Sequence, residues 1–457
     1  MFKKMLYILS FIGITVSLYA GGNTESANDS STDKTVSFEF VATQPEYLEQ
    51  DKQIWDLYME DHPNVKINVI TVNEDQRTAL LARIAANDAP AIMSEGFPLV
   101  DKSNYQIFAN LLDIDYPYWD QLSYDGKGLF EKESGISGYV PSIQLFNTTV
   151  FSFLYYKDEM EKAGLDPSTI RTWDDVDNFL AELKEYVDAS DSIEYVLDTG
   201  WHAWAWMTSF ANTLALSLGA EPQDLVDVYM GKIDWTDLQK NPYVPFFEKM
   251  KEYYQKGYLP ENFLQREWEN DFEASFIARK SIFTLHGHWI WNKVLAADPD
   301  ADLDGVPFPA NNGKLYTYPI GSAWGSSIFS QYEGTENWNE IKEAFIWYNS
   351  PEVAEMRAQF NGKKPNFKTT SEGFSVNSPQ YLHVIKPASE GAFGSGLTWE
   401  SALWGLQTAS RYKVDGTPEV MQDNEITEPL GEYLKGSMSL ESFMSILQKR
   451  WENAYSF

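Results

Sequence analysis

The sequence predicts an α/β protein, and three observations predict it. Short runs of alternating apolar residues are separated by stretches with helical apolar spacing. The same alternation returns in the middle of the chain after a long irregular interval. The 457 residues are enough to build two domains of ordinary size.

Val36, Phe38 and Phe40 alternate with Ser37 and Glu39, the period of two that marks a strand. After the loop Thr43-Gln44-Pro45, Leu48, Trp55, Tyr58 and Met59 line one side of a helix. Val65, Ile67 and Val69 give a second strand. Leu80, Leu81 and Ile84 give a second helix that ends before Pro90, and Ala91-Ile92-Met93 reads as a third strand. Strand, helix, strand, helix, strand implies a parallel sheet covered by helices.

The middle of the chain repeats that grammar. Phe151 to Tyr156 reads as a strand, followed by a short helix through Met160 to Ala163. Thr172 and Asp175 form a capping box for a helix whose Val176, Phe179, Leu180, Leu183 and Val187 fall on one stripe. Tyr195 to Thr199 reads as a strand leading into WHAWAWM, and Ser281 to Leu285 as a buried strand with Gly287 behind it. Helices fit Trp338 to Tyr348, then a segment opened by Pro351 at its first position, then a last one carrying Leu440, Phe443, Met444, Leu447 and Trp451.

Lys3 and Lys4 precede the uncharged apolar run Met5 to Leu18, which ends in Tyr19-Ala20-Gly21-Gly22. That is the layout of a secretory signal peptide, residues 1–22, and the run is shorter than the ~20 apolar residues a spanning helix needs. Residues 23–35 are polar and read as a flexible linker. The expected location is periplasmic or extracellular. With no cysteine, the chain is not a lipoprotein, and it has no disulfide, thiolate metal site or cysteine nucleophile. The net charge of −32 repels phosphate backbones and anionic lipid headgroups, so no nucleic-acid partner is expected; its ordinary use is solubility. Aromatic residues make up 15%, with 16 tryptophans, which leaves candidates beyond those a core absorbs.

Four stretches, in order, resemble the family 1 extracellular solute-binding proteins, the maltose-binding-like class. LLARIAANDAPAIM is similar to the family's helix, small-residue turn and strand near the N-terminus. VFSFLYYKDEMEKAGLDPSTIRTWDDVDNFLAEL resembles its strand, Tyr-Tyr-Lys-Asp entry, Lys-Ala-Gly-Leu turn and Thr-Trp-Asp-Asp cap. ARKSIFTLHGHWIWNKV resembles its later strand ending in Gly-x-Trp, and GSMSLESFMSILQKRWENAY its C-terminal helix. The resemblance covers nearly all of residues 36 to 455. It implies a two-lobe periplasmic-binding-protein-like fold of the class II type, with a ligand cleft between the lobes. The lobes it implies are 36–146 with 315–333, and 147–314 with 334–457. The crossings would fall near Gln144 to Asn147, Asn311 to Tyr318 and Gln331 to Asn337.

The implied function is capture of a sugar and its delivery to the permease subunits of an ABC importer at the inner membrane, by a monomer that uses no cofactor. Sugar rings lie on aromatic faces, while their hydroxyls need polar partners when buried. Trp201, His202, Trp204 and Trp206 follow a predicted strand; the competing use for them is packing under the lobe. Trp289 matches the tryptophan that the family's Gly-x-Trp places in the cleft, and Trp404 looks like an aromatic presented from the second lobe. Trp324 and Trp399 are further aromatic candidates. Gln44 and Glu46 follow the first strand, and Ser94, Glu95 and Phe97 follow the third, where polar ligand groups or plain solvent would be met. His286 and His288 form H-x-H without a carboxylate at metal spacing, and Gly321 to Ser327 lacks the lysine and spacing of a phosphate loop, so neither predicts a metal or phosphate site.

Two alternatives stand beside this reading. A secreted glycoside hydrolase would be as acidic and tryptophan-rich, with two carboxylates flanking the scissile bond. The same fold could carry a polyamine, a metal chelate or glycerol phosphate, although phosphate would want Arg or Lys in loops that offer almost none.

Overall fold

The structure is a computed structural model. It describes residues 35–71, 74–94, 107–123, 125–128, 131, 136–146, 151–201, 211–229, 231–309, 325–363, 365–386 and 424–454. The chain divides into Met1–Thr35 and Val36–Phe457, and the architecture below is that of the second unit. The expected signal peptide lies outside the described residues.

The strands are β1 Val36–Ala42, β2 Val65–Thr71, β3 Ile92–Met93, β4 Phe151–Tyr156, β5 Phe283–Gly287, β6 Leu303–Pro307 and β7 Ser327–Ile328. They form two sheets, ordered β2-β1-β3-β7 and β5-β4-β6. In the first, β1 runs parallel to β2 and β3, and β7 closes the edge antiparallel. The alternation read from Val36 to Phe40 decides which side of β1 is covered. Phe38 and Phe40 are buried under helices while Ser37 faces out. Phe40 meets Trp55 and Tyr348 edge-on at 4.9 and 4.8 Å, and Trp55 stacks on Tyr348 at 4.9 Å with 8° between planes.

Tyr348 belongs to the helix Trp338–Tyr348, which together with Pro351–Asn361 packs on the first sheet. Ile341, Phe345, Val353 and Ala358 of these helices lie in one core with Phe38, Ile54 and Ile92. This corrects the expected boundary, which gave everything from residue 334 onward to the second lobe. An apolar stripe says that a face is buried and not which sheet buries it. The described end of the chain, from Asn424, packs in the second lobe. There Leu430, Phe443 and Leu447 share a core with Phe153, Leu180 and Phe283, and Phe443 meets Phe247 edge-on at 5.1 Å.

The second sheet also differs from expectation. β4 is antiparallel to both neighbours, pairing Phe153 with Leu285 and with Val306. Period-two patterning carries no strand direction, so the repeated grammar did not entail a parallel sheet. Residues 195–199 do not form a continuous strand; they touch β5 and its approach through single parallel bridges, Tyr195 with Ser281 and Asp198 with Thr284. The capping box does form: Thr172 Oγ1 accepts from Asp175 N at 3.2 Å, and Asp175 Oδ2 accepts from Thr172 N at 2.8 Å.

The chain passes from the first sheet to the second between Phe146, bridged to Pro365, and Phe151. Gln331 to Asn337 is not a crossing. Gln331 and Tyr332 bond to Ala89 of the first lobe, and the helix after them stays there. The passage lies further on, between Val376 in the first core and Val384, which packs with Leu154, Tyr156 and Leu303 under the second sheet.

Candidate ligand site between the lobes

The second lobe builds its side of the site at the carboxyl end of β5, where open α/β sheets place ligands. β5 is buried along its whole length and releases the chain at Gly287 into the turn His288-Trp289 and the helix Ile290–Ala297. Trp289 folds back across that end. A Cβ on Gly287 would lie 1.9 Å from its Cζ3, so the ring position requires glycine. His286 Nδ1 meets the Gly287 carbonyl at 2.9 Å, and Gln380 Nε2 donates to the His288 carbonyl at 2.9 Å, which fixes the turn from the crossing segment.

Trp268 lies beside Trp289 in a stacked arrangement, ring centroids 6.0 Å apart and planes 25° from parallel. Both rings are half-buried, unlike the fully covered core tryptophans. Trp268 opens a π-helix, Trp268–Glu273, whose last residue carries a buried carboxylate. Glu273 Oε1 accepts from Trp268 Nε1 at 2.8 Å and lies 3.2 Å from His286 Nε2, while Oε2 accepts from Lys293 Nζ at 2.6 Å. Burial pushes the Glu273 carboxyl up, but His286 and Lys293 outweigh it and hold it below the usual glutamate range. Burial would lower Lys293; Glu273, then Glu46 and Glu269, raise it above the usual lysine value instead.

Glu46 belongs to the other lobe, and that fact locates the site. The turn Pro45–Tyr47 after β1 reaches the helix Ile290–Ala297, where Asn292 Nδ2 donates to the Tyr47 hydroxyl at 2.9 Å. Asn292 and Lys293 therefore stand on the second lobe's inner side, opposite Tyr47 and Glu46, on the helix that Trp289 precedes. A broad open groove of about 1050 Å³, lined by Tyr195, Tyr254, Tyr258 and Asn262 among others, lies elsewhere on the second lobe and shares none of these residues.

The remaining sequence candidates fall as follows. Gln44 and Glu46 are half-buried at the end of β1. Ser94 is 4% exposed, and its hydroxyl lies 3.1 Å from both the backbone N and Oγ1 of Thr43, so it ties β3 to β1. Trp201 is 8% exposed, packed in the second-lobe core with its ring edge-on to Phe263 and its backbone N–H bonded to the Phe263 carbonyl. His202, Trp204, Trp324, Trp399, Trp404, Glu95 and Phe97 lie outside the described residues. The sequence reading missed Trp268, Glu273, Lys293, Asn292 and Tyr47. Trp268 had one signal: it stands alone in the polar run Gln265 to Asp271, where no core-facing stripe accounts for it. Among the described residues no group of three or more His, Cys, Asp or Glu is arranged to hold a metal ion.

Two sheets with separate cores, joined by crossing segments and meeting across an aromatic site, form the arrangement the sequence resemblance implied. The family model for bacterial extracellular solute-binding proteins matches residues 42–355. The chain belongs to this family. No curated protein matches it. Solved structures carry the same fold as this solute-binding protein along nearly its whole length. A chitin oligosaccharide binding protein aligns with TM-score 0.61 at 18% identity, covering 93% of this chain and all of that one. The solute-binding protein RafE in complex with raffinose gives 0.63 at 15%, covering 92% and 100%. Maltose-bound MalE3 of T. maritima gives 0.63 at 15%, covering 91% and 99%. The described residues contain no helix long and apolar enough to cross a membrane.

Proposed function

We propose that this solute-binding protein holds a neutral sugar or oligosaccharide between its lobes and delivers it to the permease subunits of an ABC importer. It does so outside the inner membrane, after export by its N-terminal signal, and it releases the sugar chemically unchanged. The observation that carries the reading is the half-buried Trp268–Trp289 pair at the start of the helix whose Asn292 bonds Tyr47 of the other lobe and whose Lys293 feels Glu46. Aromatic faces take the C–H side of a sugar ring, and Glu46, Gln44, Asn292 and Lys293 offer the acceptors and donors its hydroxyls need. The neighbours named for chitin oligosaccharide, raffinose and maltose support a carbohydrate over a polyamine or glycerol phosphate.

A thermal-shift screen of neutral oligosaccharides, amino acids, polyamines and glycerol phosphate tests the class of cargo. Chromatography after long incubation with equimolar protein tests for turnover. The reading expects stabilisation by at least one oligosaccharide and its recovery intact. Stabilisation by a non-sugar alone, or protein-dependent cleavage, overturns it.

A further inference from the structure

We propose that Glu273 is the positioning residue of this site: its carboxylate fixes the orientation of the Trp268 indole and, through its second oxygen, of Lys293. The role in ligand affinity rests on the sugar-binding reading above; the role in ring orientation does not.

Glu273 is 2% exposed, and a buried carboxylate is costly unless both its oxygens find donors. Here they do, and its polar partners come from three different elements, with His286 Nε2 on β5 also 3.2 Å from Oε1. Oε1 takes the indole N–H of Trp268, at the start of the same π-helix, and Oε2 takes the ammonium of Lys293, on the helix that also presents Asn292 to Tyr47. Packing alone has no need of an acid at this place, since an apolar side chain of similar volume would fill it without desolvating a charge.

The backbone gives a second, independent argument. Side chains three or four apart are neighbours on an α-helix, and residues five apart are not. Residues 268 and 273 face each other because the segment between them winds as a π-helix, whose hydrogen bonds join i and i+5. The widened turn brings the carboxylate back under the indole edge. With its N–H held there and its ring flanked by Phe272 at 4.8 Å, His286 at 4.6 Å and Trp289 at 6.0 Å, the Trp268 ring has one orientation.

The test uses the full chain and the variants Glu273→Asp, Glu273→Gln, Trp268→Phe and the double variant Glu273→Asp/Trp268→Phe. Aspartate keeps the buried charge beside Lys293 but is one methylene too short for the indole, so it separates charge balance from positioning even where the glutamine variant fails to fold. The first readout is the far-ultraviolet exciton couplet of the stacked indoles in ligand-free protein, assigned by its loss in Trp268→Phe. Glu273→Asp is expected to lose or weaken the same couplet while thermal unfolding stays cooperative; a couplet unchanged in the aspartate variant overturns the proposal. The second readout is calorimetric affinity for maltotriose, raffinose and chitotriose. Glu273→Asp is expected to weaken whichever binds by about tenfold, the size of a lost charge-assisted hydrogen bond, and the double variant is expected to bind no worse than Trp268→Phe alone. Additive losses in the double variant contradict action through the indole. If no sugar binds the native protein, the sugar-binding reading fails, and the couplet still decides the role of Glu273.

Discussion

Asn292 Nδ2 donates to the hydroxyl of Tyr47 at 2.9 Å, joining the helix behind Trp289 to the turn behind β1. The two residues lie 245 positions apart in sequence and belong to different lobes. Tyr47 also meets Phe360 of the first lobe at 5.5 Å, so its ring is anchored there while its hydroxyl reaches across. Tyr47→Phe therefore removes an interlobe bond and keeps the packing. A neutral hydrogen bond contributes about 0.5–1.5 kcal/mol net. Sugar affinity is expected to fall roughly 2- to 10-fold, with little change in unfolding midpoint. Small-angle scattering of the ligand-free variant should show a larger radius of gyration; an unchanged radius and affinity would mean that the contact does not hold the lobes together.

Gly287 and Trp289 make a second prediction. Because a Cβ at 287 would stand 1.9 Å from the indole, Gly287→Ala must displace the ring from the end of β5. Expression and cooperative unfolding should survive, while affinity drops by at least as much as in Tyr47→Phe and tryptophan emission shifts toward that of an exposed indole. Native emission and affinity in Gly287→Ala would show that the ring does not depend on that space.

Trp201 predicts the opposite pattern. It is 8% exposed and packed against Phe263, so Trp201→Ala leaves a cavity in the second-lobe core. The expected cost is about 3–5 kcal/mol of stability in urea unfolding. Affinity measured well below the lowered midpoint should change far less. Full stability with lost affinity would move Trp201 from the core to the ligand.

Acid should destabilise the site through Glu273. Its folded pKa lies below the ordinary 4.5, so the carboxylate's contribution is complete above that value and disappears as pH falls through the folded pKa. Urea unfolding between pH 6 and 3 is expected to show a decline that begins below about 4.5 and is shallower in Glu273→Gln. Equal slopes in the two proteins would assign the acid sensitivity to other carboxylates.

Local chemistry was legible in the sequence, and long-range choice was not. The Val36 to Phe40 alternation and the Thr172–Asp175 capping box are settled by residues close in sequence, and both stand in the structure. The strand preceding Trp289 was read directly, two residues displaced from the observed β5. By contrast, the helix Trp338–Tyr348 was read correctly as a helix and assigned to the wrong lobe, because its stripe of Ile341, Phe345 and Tyr348 would suit either sheet. The antiparallel pairing of β4 is a choice of topology that no local pattern encodes. Trp268 and Glu273 escaped because they meet only through a π-helical turn, a spacing outside the periods used to read helices from sequence. Asn292 and Tyr47 had no signal until the lobes were folded.

The most direct measurement is calorimetric titration of the oligosaccharide that most stabilises the native protein, repeated with Trp289→Ala alongside urea unfolding of each ligand-free protein. Loss of an aromatic platform is expected to cost about 2–4 kcal/mol of binding, a weakening of roughly 30-fold to several hundred-fold. Stability should fall by less than binding, since the ring is half-buried at the lobe surface and not enclosed in its core. Undiminished affinity in Trp289→Ala together with a collapse in stability would show that the tryptophan pair is core, and that the sugar site lies elsewhere.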